Sequence, residues 1–174
     1  MNLDADDFTL MGLPRLQALN RAELDSHWKA LQARVHPDRF AAEGGAAQRV
    51  AMQWAVRVNE AYQRLKDPLK RAGYLCELAG SPVRAESNTA MPGDFLMQQM
   101  MWREVLEEAA SATTVQALAE EVQVERKIRI DRVTRLIDTE GRHAQAALDV
   151  RALMFIDRLL SEIDARLERY EDGL

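Results

Sequence analysis

Trp28-Lys29-Ala30-Leu31-Gln32-Ala33-Arg34-Val35-His36-Pro37-Asp38-Arg39-Phe40 carries an apolar-periodic stretch into a polar break, and the fold turns on that break. Before it stand Leu24, Trp28, Leu31 and Val35; after it stand Val50, Trp54, Val58, Ala61 and Leu65. Both sets follow the spacing of one face of an α-helix. Between them, Pro37 bars continuation of the first helix and Gly44-Gly45 loosens the approach to the second. Two helices with facing apolar stripes and a short connection pack as an antiparallel hairpin. His36, Pro37 and Asp38 are then presented at its tip. Trp28 and Trp54 fall on the facing stripes and are expected in the core.

The same periodic reading extends along the chain. Helices are predicted near residues 4–11, 21–35, 45–66 and 68–78, with Asn20 and Glu23 in a capping-box arrangement before the second. Residues 79–93 are rich in Gly, Pro, Ser and Asn and read as a boundary. Three more helices follow: one capped by Asp94 and running to about 110, one opened by Thr113 and running to about 139, and one from about 143 to 170. Leu153, Ile156, Leu160, Ile163 and Leu167 give the last an apolar stripe. Long helices with short loops form a three-helix bundle. The fold class is all-α, divided into 1–78, a linker 79–93, and a bundle 94–174.

Around the break, the chain resembles the J-domain of DnaJ-type co-chaperones, whose signature is His-Pro-Asp between two helices. Asp7 to Leu13 resembles the family's short first helix and its Gly-Leu exit; Asn59 to Leu65 followed by Asp67-Pro68 resembles its third helix and end. Arg71-Ala72-Gly73-Tyr74-Leu75 resembles one branch, the HscB co-chaperones of iron–sulfur cluster assembly, and the likeness extends over essentially the whole chain. The resemblance implies that His36, Pro37 and Asp38 contact the ATPase domain of a DnaK-type chaperone, HscA. Arg21, Lys29, Arg34 and Arg39 would be the basic residues that steer docking. That set is thin, diluted by Glu23 and Asp25.

Two other roles are open to the tripeptide. As an enzyme site, His36 would be a general base oriented by Asp38, but the loop offers no nucleophile and a hairpin tip is not a water-excluding cleft. As a purely structural feature, Asp38 would act as a helix cap behind a helix-stopping Pro37.

The helix after Asp94 has two apolar sides. At about 100° per residue, Phe95, Trp102, Val105, Leu106 and Ala109 gather within one arc of roughly 100°, enough to face a core. Leu96, Met97, Met100 and Met101 lie opposite, among Glu104, Glu107 and Glu108. A bundle helix needs one apolar face; exposed Leu and Met edged by acids suit a partner-binding surface. The bland alternative is a helix covered on both sides. On the last helix, Phe155 lies off the apolar stripe, near Arg151, Arg158 and Glu162, and is a second candidate contact. The resemblance to HscB implies that Leu96, Met97, Met100, Glu104, Glu108 and Phe155 hold IscU, the scaffold on which clusters are built. Met101 stands where relatives can carry an acid.

Bulk properties narrow the remaining classes. A hydrophobic share of 47% with 29% charged residues fits a soluble helical protein rather than a disordered one. No apolar run approaches the roughly 20 residues that span a bilayer, and the acidic opening Met1-Asn2-Leu3-Asp4 argues against a signal or transit peptide. A cytoplasmic bacterial protein, or an already processed organellar one, is expected. Residues 1–93 carry a net charge of +1 and residues 94–174 of −6, which disfavours nucleic acid as a partner and suits a basic protein. The lone Cys76 excludes an internal disulfide and a multi-cysteine zinc site, and it reads as a buried small hydrophobe. His27, His36 and His143 lie far apart, so no metal or other cofactor is expected. No Gly-rich phosphate loop is present, so ATP hydrolysis would be the chaperone's.

Overall fold

The computed structural model describes residues 2–171 and 173; Met1, Asp172 and Leu174, which fall within the first and last predicted segments, lie outside the described residues. The helices are α1 (Asp7–Met11), α2 (Arg21–Val35), α3 (Gly45–Lys66), α4 (Pro68–Leu78), α5 (Gly93–Glu108), α6 (Ala112–Asp138) and α7 (His143–Glu171). Among the described residues there is no strand. None of these helices is long and apolar enough to cross a membrane. The chain divides into two compact units, residues 1–75 and 76–174.

In the first unit α2 and α3 run antiparallel. Tyr62 near the end of α3 meets Asp25 and Trp28 early in α2, whereas Gln32 near the end of α2 donates to the Ala55 carbonyl. Phe8, Leu24, Val35, Val58, Ala61 and Leu65 form the core. Two expectations are corrected here. Trp28 and Trp54 are half-buried rather than core, with Trp28 stacked on Tyr62 at 4.4 Å. Val50 is exposed and Ala51 turns inward instead. Helix α3 has 22 residues against 15 in α2, so its first turns outrun the partner helix and need only a small inward residue.

Helix α1 is short and held by charge. Asp6 caps it by accepting from the Phe8 and Thr9 amides. Partial burial works to raise the Asp6 pKa, but hydrogen bonds from the Arg15 and Thr9 side chains outweigh it and hold it at about 2. A carboxylate so depressed stabilises the fold fully above its ordinary value of 3.8 and loses that contribution as pH falls through about 2. The α1 amides should therefore lose protection from hydrogen exchange across that window, whereas Asp6→Asn, with no carboxylate to titrate, should be less protected above it and show no such step. Behind the cap, the fully buried Asp7 joins Arg57 at 2.7 Å and Arg64 at 2.8 Å, tying α1 to α3. Removing one partner of a buried pair costs roughly 3–5 kcal/mol. Because both arginines reach solvent, Asp7→Ala should fall toward the low end, measured as early unfolding of the first unit.

The second unit is an up-down-up bundle. Asp94 meets Arg129 and Trp102 meets Glu121, so α5 and α6 are antiparallel; Arg126 meets Asp157 and Arg129 meets Asp149, so α6 and α7 are antiparallel too. Phe95, Trp102, Val115, Val122, Leu153, Ile156, Leu159 and Ile163 fill the interior. Three local expectations change. Helix α5 begins at Gly93 and receives no side-chain cap, so Asp94 sits in its first turn; Ser111, not Thr113, caps α6 by accepting from the Thr114 amide. On α7 Leu159 is buried, while Leu160 and Leu167 are half-exposed. The stretch 79–93, expected as a linker, lies in the second unit, where buried Arg151 donates to the carbonyls of Val83 at 2.8 Å and Ala90 at 3.0 Å. Its Pro and Gly content precludes a helix but not packing.

Candidate functional site

Two places present chemistry to solvent. The first is the α2–α3 connection. Helix α2 ends because His36 takes an extended backbone (φ −60°, ψ 126°) and Pro37 has no amide to donate. Residues Pro37–Glu43 then form a 3-10 turn, and Gly44, at φ 94°, hands the chain to α3 in a conformation that favours glycine. His36 is itself the cap of the turn: its Nδ1 accepts from the Asp38 amide at 3.3 Å. That corrects the reading of Asp38 as the cap. The Asp38 carboxylate is 90% exposed and lies 3.6 Å from the imidazole, which is 59% exposed. An acid–base pair this open lacks the water exclusion that general-base chemistry uses. Both groups are presented to solvent.

The basic residues around the tip are unequal. Arg21 is bound to Asp25 at 2.7 Å and to the Tyr62 hydroxyl at 3.0 Å, so much of its field is cancelled locally. Lys29 and Arg34 are exposed on α2. Arg39 reaches back to the Ala33 carbonyl at 3.1 Å, which complements the negative end of α2.

The second place is the outward side of α5. Leu96, Met97, Met100 and Met101 are 45%, 73%, 69% and 62% exposed, while Phe95, Trp102, Leu106 and Ala109 are buried. Val105, expected inside, is exposed. Met97, Met100, Met101, Glu104, Glu107 and Phe155 line one shallow groove. Leu96 and Glu108 are exposed on the same helix outside that lining. Phe155 is half-buried, edge-on to Phe95 with ring centroids 5.7 Å apart. Arg103, which sequence reasoning did not single out, lies over the Phe155 ring at 5.2 Å and forms an ion pair with Glu162. Its only signal in the sequence is an aromatic placed off the apolar stripe, which needs some cover. Thioethers, one aromatic ring and an acidic edge thus lie together on one exposed side of the helix.

Cys76 is fully buried, and burial pushes its thiol up to about 11. Its Sγ–H points to the His143 carbonyl at 3.5 Å. The folded chain should therefore resist iodoacetamide at pH 8 and react stoichiometrically once denatured, followed by intact-mass spectrometry. Fast labelling of the native chain would contradict this geometry.

Residues 91–164 match the family model described as the HscB C-terminal oligomerisation domain. Over the whole length the chain is 51% identical to the co-chaperone HscB homologue of Burkholderia multivorans, covering 98% of this chain and 99% of that protein. It is also 51% identical, with the same coverage, to the homologue of Paraburkholderia xenovorans. The chain belongs to the HscB family of co-chaperones. Solved HscB structures share its architecture. The HscB chaperone of Vibrio cholerae is 35% identical with a TM-score of 0.77 over 98% of this chain and 99% of that one. Human HscB is 25% identical with a TM-score of 0.82 over 100% of this chain and 86% of that one. The all-α J-domain hairpin and three-helix bundle expected of an HscB protein are the fold found here.

Proposed function

We propose that this HscB protein binds the iron–sulfur scaffold IscU, delivers it to the DnaK-type chaperone HscA, and stimulates that chaperone's ATPase in the cytoplasm. The observation that carries this reading is the placing of two solvent-facing contact surfaces on two separate compact units: the His36-Pro37-Asp38 tip on the first, and the Leu–Met face of α5 on the second. His36, Pro37 and Asp38 make the activating contact, with Arg21, Lys29, Arg34 and Arg39 steering. Leu96, Met97, Met100, Met101, Glu104, Glu108 and Phe155 hold the scaffold. In this reading the chain is not itself the enzyme; the hydrolysis it promotes is the chaperone's. Bringing scaffold and chaperone together on one chain raises the concentration of each near the other, a gain set by tethering rather than by any new contact.

The test is a steady-state ATPase assay with HscA, this chain and IscU. The chain alone should stimulate hydrolysis, and chain plus scaffold should stimulate it more than the two separate effects combined. Stimulation without capture of IscU would replace the reading with a J-protein of another branch serving a different client. Loss of both would overturn it.

A further inference from the structure

The bundle interior holds a charged cluster that packing alone does not require. Arg129 on α6 is 2% exposed, and Asp149 on α7 is fully buried. They meet at 2.8 Å. Glu125 and Arg132 on α6 complete the cluster, at 2.7 Å from Arg129 and 3.1 Å from Asp149, and Asp94 on α5 accepts from Arg129 at 3.2 Å. Buried ion pairs are poor sources of stability, since well-packed apolar residues often serve as well or better. Their use here is directional. The Arg129 guanidinium lies over the Phe95 ring at 4.7 Å; Phe95 stands edge-on to Phe155 at 5.7 Å and to Trp102 at 5.9 Å. Leu96 and Met97 follow Phe95 directly on α5.

Resting on the client-binding reading above, we propose that Arg129, anchored by Asp149, is a positioning residue for the client face, setting through Phe95 both the seat of Phe155 and the register of Leu96 and Met97. Asp94 fixes the first turn of α5 to the same guanidinium, and the Trp102 indole, donating to Glu121 at 2.8 Å, fixes the helix two turns on. Between these two ties the exposed Leu–Met side of α5 has one allowed orientation relative to Phe155. The fork and plane of a guanidinium suit the role: it can take several carboxylates and still stack on a ring, which a lysine cannot.

The experiment uses the full chain and IscU as the probe, in a double-mutant cycle. Arg129→Met with Asp149→Leu removes the cluster's centre at similar volume. The pair variant should melt within a few degrees of the parent and bind IscU at least tenfold more weakly, with shifted Met97 and Met100 methyl resonances. In a Phe155→Ala background the same two changes should lose the part of their effect that runs through the Phe155 seat, leaving a clearly smaller loss through Leu96 and Met97. A merely structural cluster gives no such coupling. Unchanged binding by the folded pair variant, or equal losses with and without Phe155, would overturn the proposal. Should the pair variant unfold, Arg129→Lys and Phe95→Leu take its place: each should weaken binding in the parent by a clearly larger factor than in Phe155→Ala, and parent-like binding by both would overturn it. If the parent chain itself fails to bind IscU, the function reading fails instead.

Discussion

His36→Gln should abolish stimulation of HscA while leaving the protein folded. The imidazole is more than half exposed and caps the following turn by accepting from the Asp38 amide. A glutamine side-chain oxygen can accept that bond, and a weakened cap costs about 1 kcal/mol at most positions of this kind. No residue of the Pro37–Glu43 turn that it caps is buried. ATPase stimulation, in contrast, should fall to the chaperone's basal rate, because a contact at a convex tip has no neighbour to substitute for it. The measurements are HscA turnover at saturating co-chaperone and a thermal melt by circular dichroism. A variant that stimulates normally would remove the tripeptide from the mechanism. One that unfolds would return it to a structural turn. IscU binding should be untouched, since its proposed contacts lie in the other unit.

The helices were legible because each carries periodic apolar residues between clear punctuation: Asn20 before α2, Pro37 after it, Pro68 inside the first turn of α4, Gly141 beyond α6. The exposed side of α5 was legible for the same reason, as a second apolar arc that one bundle contact cannot use. The charges inside the fold were not. Asp7, Arg129, Asp149 and Arg151 are buried, yet in the sequence each looks like an ordinary polar position on an amphipathic helix. Apart from Glu125, one turn before Arg129 on α6, their partners sit on other helices or on loops, at separations that no periodicity encodes. Arg151, one turn before Phe155 on α7, holds the Pro-rich stretch through Val83 and Ala90. Helix starts failed by a residue or two where a backbone turn rather than a side chain ends the preceding loop, as at Gly93.

Truncating Leu96, Met97 and Phe155 together to alanine should weaken IscU binding by several orders of magnitude. Hot-spot truncations cost about 2 kcal/mol or more apiece, and tenfold in affinity is about 1.4 kcal/mol, though the losses do not add simply. The stability cost should divide unevenly. Leu96 and Met97 are exposed, so their loss removes little buried area. Phe155 is half-buried against Phe95 and beneath Arg103, and aromatic pairs of that geometry are worth about 0.5–1.5 kcal/mol. Its truncation should lower the melting temperature modestly, well short of the roughly 3–5 kcal/mol of a core phenylalanine. Leu96→Ala with Met97→Ala is therefore the cleaner reporter: affinity should drop at least a hundredfold with the melt unchanged. Stimulation of HscA without scaffold should persist in both variants, and the synergy between scaffold and co-chaperone should vanish. If the double variant melts early and still captures IscU, the two side chains are packing. The outward arc of α5 would then face some other part of the protein's own chemistry, and the scaffold contact would have to be sought elsewhere.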